Sequence, residues 1–518
     1  MSRRAVDAAG RSGASADAGS SGASAVSGWP GAAPASGAVP ASGAAPTAGA
    51  ASTAGADDTA VHPYIPNSIP DVRAEMLAAV GATDIEELYA EIPARLRLHR
   101  PLDLPPALRS EAELVREVGG LLERNRSTRE LVSFLGAGCY EHQVPAVCDE
   151  INGRAEFLTA YAGEPYEDHG RFQALFEYCS MLGEILEMDV VTVPVYDGFQ
   201  AAATALRMAA RVTGRTRLLL TDAIGRDKRA KIADYCAPDL ALDTVPFDAG
   251  SGELDRGALA TLLRDDVAAV YVEQPNALGV VETGLAEMVE AAHRAGALAI
   301  VSVDPSTLGV LAPPAAFGAD LACGDIQPLG IHQHYGGGHG GFIASHDDPR
   351  IVMQYPSRLF GIAPTRVAGE YGFGDVAYER TSFALREEGH EWVGTAAALW
   401  GITAGVYLAL MGPQGMRELG ESEMARTRYA MQRLGTLPGV RIPFGRSHHV
   451  QEFVVDLSGT GRTVAEVNRA LLERGILGGA DLAGQFPGLG QAALYAVTEV
   501  RTQADIDALA GALEEVLA

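Results

Sequence analysis

Lysine is almost missing from this chain: 518 residues contain it only at Lys228 and Lys231. Chemistry that needs a lysine amine has those two groups to draw on, and neither stands where the sequence pattern would want one. Cysteine is scarce too. The five cysteines are odd in number and form no C-x-x-C pair, which argues against a disulfide framework. They read as small buried apolar groups in a reducing cytoplasm. Large apolar residues are nearly absent from residues 1–60, a run of Ala, Gly, Ser, Pro and Thr that cannot bury enough surface to offset chain entropy. That head is expected to be disordered. It opens Met-Ser-Arg-Arg, but no apolar core follows, so export is not expected. Positive charge is in deficit, with 40 Lys and Arg against 66 Asp and Glu and a net charge of −26. The arginines form no basic stripe, so nucleic acid is not an expected partner. Trp392 to Met416 carries no charge and is long enough to span a bilayer. Its glycines, its Gly412-Pro-Gln-Gly terminator and the lack of a close basic flank fit a helix buried in a protein or interface, with no membrane partner.

What is present has a clear rhythm. Residues 61–130 read as an N-terminal arm of short helices, opened by Pro70-Asp71, by Asp84-Ile-Glu-Glu-Leu, and by Glu111 after the Pro105-Pro106 break. Residues 131–415 alternate strand and helix. Strands are expected at Val190–Val195, Arg217–Thr221, Asp243–Phe247, Val267–Val272, Ala297–Val303, Leu321–Cys323 and Gly341–Ala344. Helices are expected at Gln200–Val212, Arg226–Tyr235, Arg256–Arg264 and Leu285–Ala295. Near-continuous apolar strands separated by amphipathic helices predict an α/β domain with a mostly parallel sheet covered on both faces. Ligands of such sheets gather at the carboxyl ends of the strands. Residues 416–518 read as a small α+β domain, with strands at Gln451–Leu457 and Ala492–Val497 and helices at Val464–Arg474 and Ala504–Leu517.

The stretch from Ala297 to Ser345 reads like the wall of a pyridoxal phosphate (PLP) site. A buried strand ends in Asp304, an Ala319-Asp320 segment follows, then the glycine cluster Gly336–Gly341. A carboxylate at Asp304 could pair with a pyridine nitrogen, or could cap the turn Pro305-Ser306-Thr307. The second segment should carry a lysine to hold the cofactor as an imine, and it carries none. Asp197, after Tyr196, places an anion where phosphate would rest on a helix start. It could cap that helix, and it would repel phosphate. Glu273-Gln-Pro-Asn276 ends a strand and either faces a pocket or turns the chain. His332, His334 and His339 are the metal candidates, with the first two on one face if that segment is extended. No carboxylate or cysteine completes a known zinc spacing around them.

These residues resemble the glycine cleavage system P-protein family, in its first (α) subunit form. The likeness runs from His62-Pro-Tyr-Ile-Pro-Asn to the chain end, and Phe134-Leu-Gly-Ala-Gly-Cys-Tyr-Glu-His142 is its most specific segment. Glu156-Phe-Leu-Thr-Ala-Tyr161, Tyr196-Asp-Gly198, Gln274-Pro-Asn276, Asp304-Pro305, Gln327 and Thr498-Glu499 support it. The resemblance implies a PLP-dependent transferase fold of the aspartate-aminotransferase type (fold type I). It also implies that this chain lost its lysine, Pro328 standing at that position. PLP would then sit on a second, β subunit, in an α2β2 assembly that decarboxylates glycine and passes the aminomethyl group to the lipoamide of H-protein. No residue of this chain would be catalytic or hold the cofactor. Tyr161, Tyr196, Asp197, Asn276, Asp304 and Gln327 would contact the pocket or the subunit interface. Departures from the family pattern occur at Ala162–His169, after Arg386, and at the histidine group. They admit a paralogue whose pair acts on another amino acid, or a regulatory chain without activity.

Overall fold

The computed structural model describes residues 64–100, 102–157, 169–391 and 397–518. The expected disordered head, Tyr161 and most of the divergent segment after it lie outside the described residues. The chain forms two compact units, Met1–Ala107 and Leu108–Ala518.

In the first unit, a helix at Pro70–Ala79 starts on proline, which needs no N–H partner there. The helix expected at Asp84 is instead a five-residue 3-10 turn, Ile85–Tyr89, capped by Asp84 accepting the Glu86 N–H at 2.7 Å. Pro93, close behind, cannot sit in the interior of a helix begun at Ile85. The Pro70–Ala79 helix buries no residue, and Met76, Val80, Leu88 and Leu96 are exposed.

The second unit is built on a seven-stranded sheet. Its strands are β1 (Val190–Val191), β2 (Arg217–Thr221), β3 (Ala241–Val245), β4 (Val267–Gln274), β5 (Leu298–Val303), β6 (Leu321–Asp325) and β7 (Gly341–Ser345), in the spatial order β1-β7-β6-β5-β4-β2-β3. The pairs from β3 through β6 are parallel, and β7 is antiparallel to both its neighbours. Every residue of β4 is buried, as a central strand covered on both faces requires. β1 is shorter than the sequence predicts. Pro194 has no N–H to offer, so the chain beyond Val191 follows β7 only through Thr192 and a bridge from Val195 to Gly341. Helix α1 (Gly198–Thr213) covers one face and is buried along most of its length; helix α2 (Arg226–Cys236) packs beside it.

The described part of the uncharged run, from Ala397, leads into a long helix, α3 (Ala398–Leu434), which is broken at Gly412 (φ 59°, ψ −178°) before Pro413. It is apolar because it packs against the helix His169–Leu186 and the turn Pro305–Gly309. Among the described residues, no helix is long and apolar enough to cross a membrane.

The C-terminal part carries strands β8 (Glu452–Asp456), β9 (Ala480–Asp481) and β10 (Ala492–Ala496), ordered β8-β10-β9 and antiparallel. Helices Val464–Glu473 and Gln503–Leu517 cover them, each opened by a capping box. The Phe134–His142 segment belongs here in space. Val132–Ser133 pairs with Ile476–Leu477, Leu135 bridges to Tyr495, and Phe134 is wholly buried in the core of this layer.

Candidate functional site

The carboxyl ends of β4, β5 and β6, the start of α1 and the edge of β8 enclose a cavity of about 350 Å³. Its polar wall includes Tyr140, Lys228, Glu273, Asp304, Asp325 and Glu452, with Arg226, Asp227 and Asp481 nearer α2 and β9 and Pro328 also lining it. Strand polarity puts it there: three neighbouring strands end in Glu273-Gln274, Asp304 and Asp325 on the same edge.

The chemistry of that wall is specific. Glu273 Oε1 accepts from Lys228 Nζ at 2.7 Å and from the Tyr271 hydroxyl at 2.8 Å. Lys228 reaches the cavity from α2, not from the segment expected to carry an imine-forming lysine, where Pro328 stands. Burial opposes its charge, but the Glu273 carboxylate outweighs burial and the Lys228 pKa is raised. A lysine held protonated is the opposite of an imine-forming nucleophile. Asp304 Oδ1 accepts the Ser306 N–H at 2.9 Å and the Ser306 hydroxyl at 2.7 Å, so it caps the 3-10 turn Pro305–Gly309 while lining the cavity. Asp325 Oδ2 accepts the Gly198 N–H at 2.9 Å, and its Oδ1 accepts the Gln327 N–H at 2.8 Å. Burial pushes the Asp325 pKa up. Asp197 Oδ1 accepts the Gln200 N–H at 2.6 Å and caps α1. Glu452 Oε1 accepts the Ala137 N–H at 2.6 Å, an N–H aimed by a left-handed turn at Ala137 (φ 83°) and Gly138 (φ 91°). Burial still pushes Glu452 up to about 7. Tyr140 is driven far above the usual tyrosine range by burial and by the carboxylates of Glu452, Asp304 and Glu273.

The other expected contacts divide. Asn276 lines the cavity but spends its amide on structure: Nδ2 donates to Gly252 O at 2.9 Å and Glu282 Oε1 at 2.8 Å, while Oδ1 accepts the Leu278 N–H. Gln327 is buried behind the wall, its Nε2 donating to the Tyr140 carbonyl at 3.1 Å and the Ile331 carbonyl at 3.0 Å, and so positions Tyr140. Tyr196 is half exposed and lies outside the wall. The histidine segment is a turn rather than an extended strand, with positive φ at His334 (43°) and Tyr335 (58°). Consequently the three imidazoles have separate partners. His332 Nε2 lies 3.0 Å from Asp149 Oδ1, His339 Nε2 lies 2.9 Å from the Gln333 carbonyl, and His334 packs on Trp400 with ring centroids 5.1 Å apart.

Sequence reasoning did not single out Lys228, Asp325, Glu452 or Tyr140 for this wall. Asp325 carried a usable signal, since it ends β6 just as Asp304 ends β5. Glu452 and Tyr140 arrive from distant segments that only folding joins.

PLP does not fit these residues. At the start of α1, where phosphate would rest, the Gly198 and Gln200 N–H groups are already taken by Asp325 and Asp197. A Cβ at Gly198 would lie 2.9 Å from the Asp325 backbone nitrogen, so the two segments are in contact there. Pro328 offers no amine, and Lys228 is locked to Glu273.

Sheet order, the antiparallel β7 and a cavity on the carboxyl edge define an α/β chain of the PLP-dependent transferase class, fold type I, with carboxylates at the cavity's helix start. The chain belongs to the glycine cleavage system P-protein family, which its residues 62–513 match. It is 38% identical over 457 residues to a probable glycine dehydrogenase (decarboxylating) subunit 1 of Moorella thermoacetica, covering 88% of this chain and 100% of that one. The Geobacillus kaustophilus protein of the same description is 37% identical over 449 residues, 86% of this chain and 97% of that one. A crystal structure of glycine decarboxylase (P-protein) of the glycine cleavage system, in inhibitor-bound form, superposes with a TM-score of 0.74 at 35% identity. It covers 88% of this chain and 100% of that chain. A sphingosine-1-phosphate lyase of Burkholderia pseudomallei, 14% identical with a TM-score of 0.58 over 83% of this chain and 94% of that one, shares the fold.

Proposed function

We propose that this chain is the cofactor-free subunit of a glycine dehydrogenase (decarboxylating), working in the cytoplasm with a PLP-bearing subunit 2 and lipoylated H-protein. One observation carries the reading: a chain of this family has Pro328 and a carboxylate-filled helix start in its cavity, so its own fold offers PLP neither an amine nor a phosphate seat. Chemistry then rests on the partner, where PLP supplies the electron sink for decarboxylating glycine. The apolar residues of the first unit support an assembly, since Met76, Leu88 and Leu96 are exposed among the described residues. All five cysteines are unpaired, which suits a reducing compartment. An α2β2 stoichiometry is the simplest arrangement for such a pair.

The test is glycine–bicarbonate exchange with H-protein present. The co-expressed pair should exchange label, and each chain alone should not. Exchange by this chain alone, or a partner fully active without it, would defeat the proposal. Turnover of a different amino acid by the pair, with glycine inert, would replace the substrate and keep the architecture.

A further inference from the structure

Beyond the cavity, the structure gathers three metal-binding side chains from distant parts of the sequence. His142 ends the Phe134–His142 segment, Glu423 lies on α3 beyond its break, and Glu499 follows β10. One donor atom from each lies within 4.8 Å of the others. His142 Nδ1 is 2.9 Å from Glu499 Oε2 and 3.7 Å from Glu423 Oε1, and the three side chains are 1%, 16% and 0% exposed, in the order His142, Glu499, Glu423.

The group is incompletely satisfied. Glu423 Oε1 and His142 Nε2 are buried without a hydrogen-bond partner. The other atoms are engaged: Gln451 Nε2 donates to Glu423 Oε2 at 3.1 Å, and the Gln143 N–H donates to Glu499 Oε1 at 2.6 Å. The nearby guanidiniums point elsewhere. Arg426 donates to the backbone carbonyls of Glu499 and Arg501, and Arg501 Nη2 donates to Glu141 Oε2 at 2.9 Å. A buried carboxyl oxygen and a buried ring nitrogen left without partners carry the cost of their lost hydration.

We propose that His142, Glu423 and Glu499 form a structural site for one divalent first-row transition ion, zinc or manganese in class. An ion among His142 Nδ1, Glu423 Oε1 and Glu499 Oε2 balances two carboxylates and gives the unpartnered oxygen a ligand bond. Metal–ligand bonds of about 2.0–2.2 Å put donors roughly 3.4 Å apart in a tetrahedral site. The two separations from His142, 2.9 and 3.7 Å, bracket that value, and the two carboxylate donors lie within 4.8 Å of each other, so an ion would draw them together. One imidazole and two carboxylates suit these ions better than calcium or magnesium, which favour all-oxygen shells. Such an ion would clasp the Phe134–His142 segment, α3 and the β10 end together.

The full-length chain, purified without chelator, is analysed for metal, then stripped and titrated separately with Zn²⁺ and Mn²⁺. The expected result is about one equivalent retained per chain, with a midpoint of thermal unfolding that falls on stripping and returns on refilling. Glu423→Gln keeps the shape and removes the charge; it should lose the metal and the metal-dependent part of the midpoint. The proposal is overturned if wild type holds under about a tenth of an equivalent and neither ion moves its midpoint. It is also overturned if E423Q is as stable as wild type or more so, because the cluster would then be held by protons or water alone.

Discussion

At the scale of single residues, the cavity wall sets two expectations. Lys228→Met would strand the buried Glu273 carboxylate with only the Tyr271 hydroxyl beside it. Lys228 keeps some exposure, so the loss should be about 2–3 kcal/mol, less than for a fully buried pair. The double variant K228M/E273Q should recover most of it, and thermal unfolding of the three proteins checks this. Glu452 sets a pH dependence. Burial raises its pKa from 4.5 to about 7, so the folded chain keeps a proton that the unfolded chain releases in that window. Stability from this group is complete below about 4.5 and lost as pH climbs through about 7. At ~1.4 kcal/mol per pKa unit, the loss is about 3 kcal/mol at most. Glu452→Gln should match wild type near pH 4.5 and exceed it near pH 8, as unfolding midpoints across that range would show. Neither expectation could be read from sequence. A strand-end rule finds Asp304, but Lys228 and Glu452 reach the wall through packing between elements that lie far apart in the chain.

At the scale of elements, the sequence was most legible where burial repeats with a fixed period. β2 runs over the expected residues, and the helices at Arg226, Arg256, Leu285 and Val464 end within about two residues of expectation, an ordinary boundary error. It was least legible where one residue interrupts a period, as Pro194 does in β1. The uncharged run was long enough to span a bilayer by length alone, and its glycines carried the correct reading. Gly405 lies against Tyr178, and Gly309, on the turn that α3 packs against, sits directly on the Met416 carbonyl. Gly309→Ala must push that turn off the helix and should cost at least about 2 kcal/mol, measurable by denaturant unfolding. Gly412→Ala places a side chain at a positive φ with extended ψ, a conformation open to glycine alone, and should cost about 1–3 kcal/mol.

At the scale of the whole molecule, the features that oppose PLP are distributed and a single substitution should not reverse them. Pro328→Lys restores an amine but leaves Asp325 and Asp197 on the α1 start, so this variant should retain no PLP absorbance band after incubation with PLP and removal of the excess. A band would show that the lysine alone was limiting. The first unit makes a separate prediction. Leu88→Asp with Leu96→Asp alters exposed residues, so unfolding of the isolated chain should shift by under about 0.5 kcal/mol, while recovery of the partner subunit in co-purification should fall severalfold.

The pairing of Val132–Ser133 with Ile476–Leu477 also has a consequence for biosynthesis. Phe134 leaves the ribosome more than three hundred residues before the tail strand that shelters it, and at about 5–20 residues per second that is a wait of many seconds. Nascent chains halted before β10 should therefore display Phe134 and depend on chaperones, and protection of this segment from protease should arrive abruptly with the last few dozen codons.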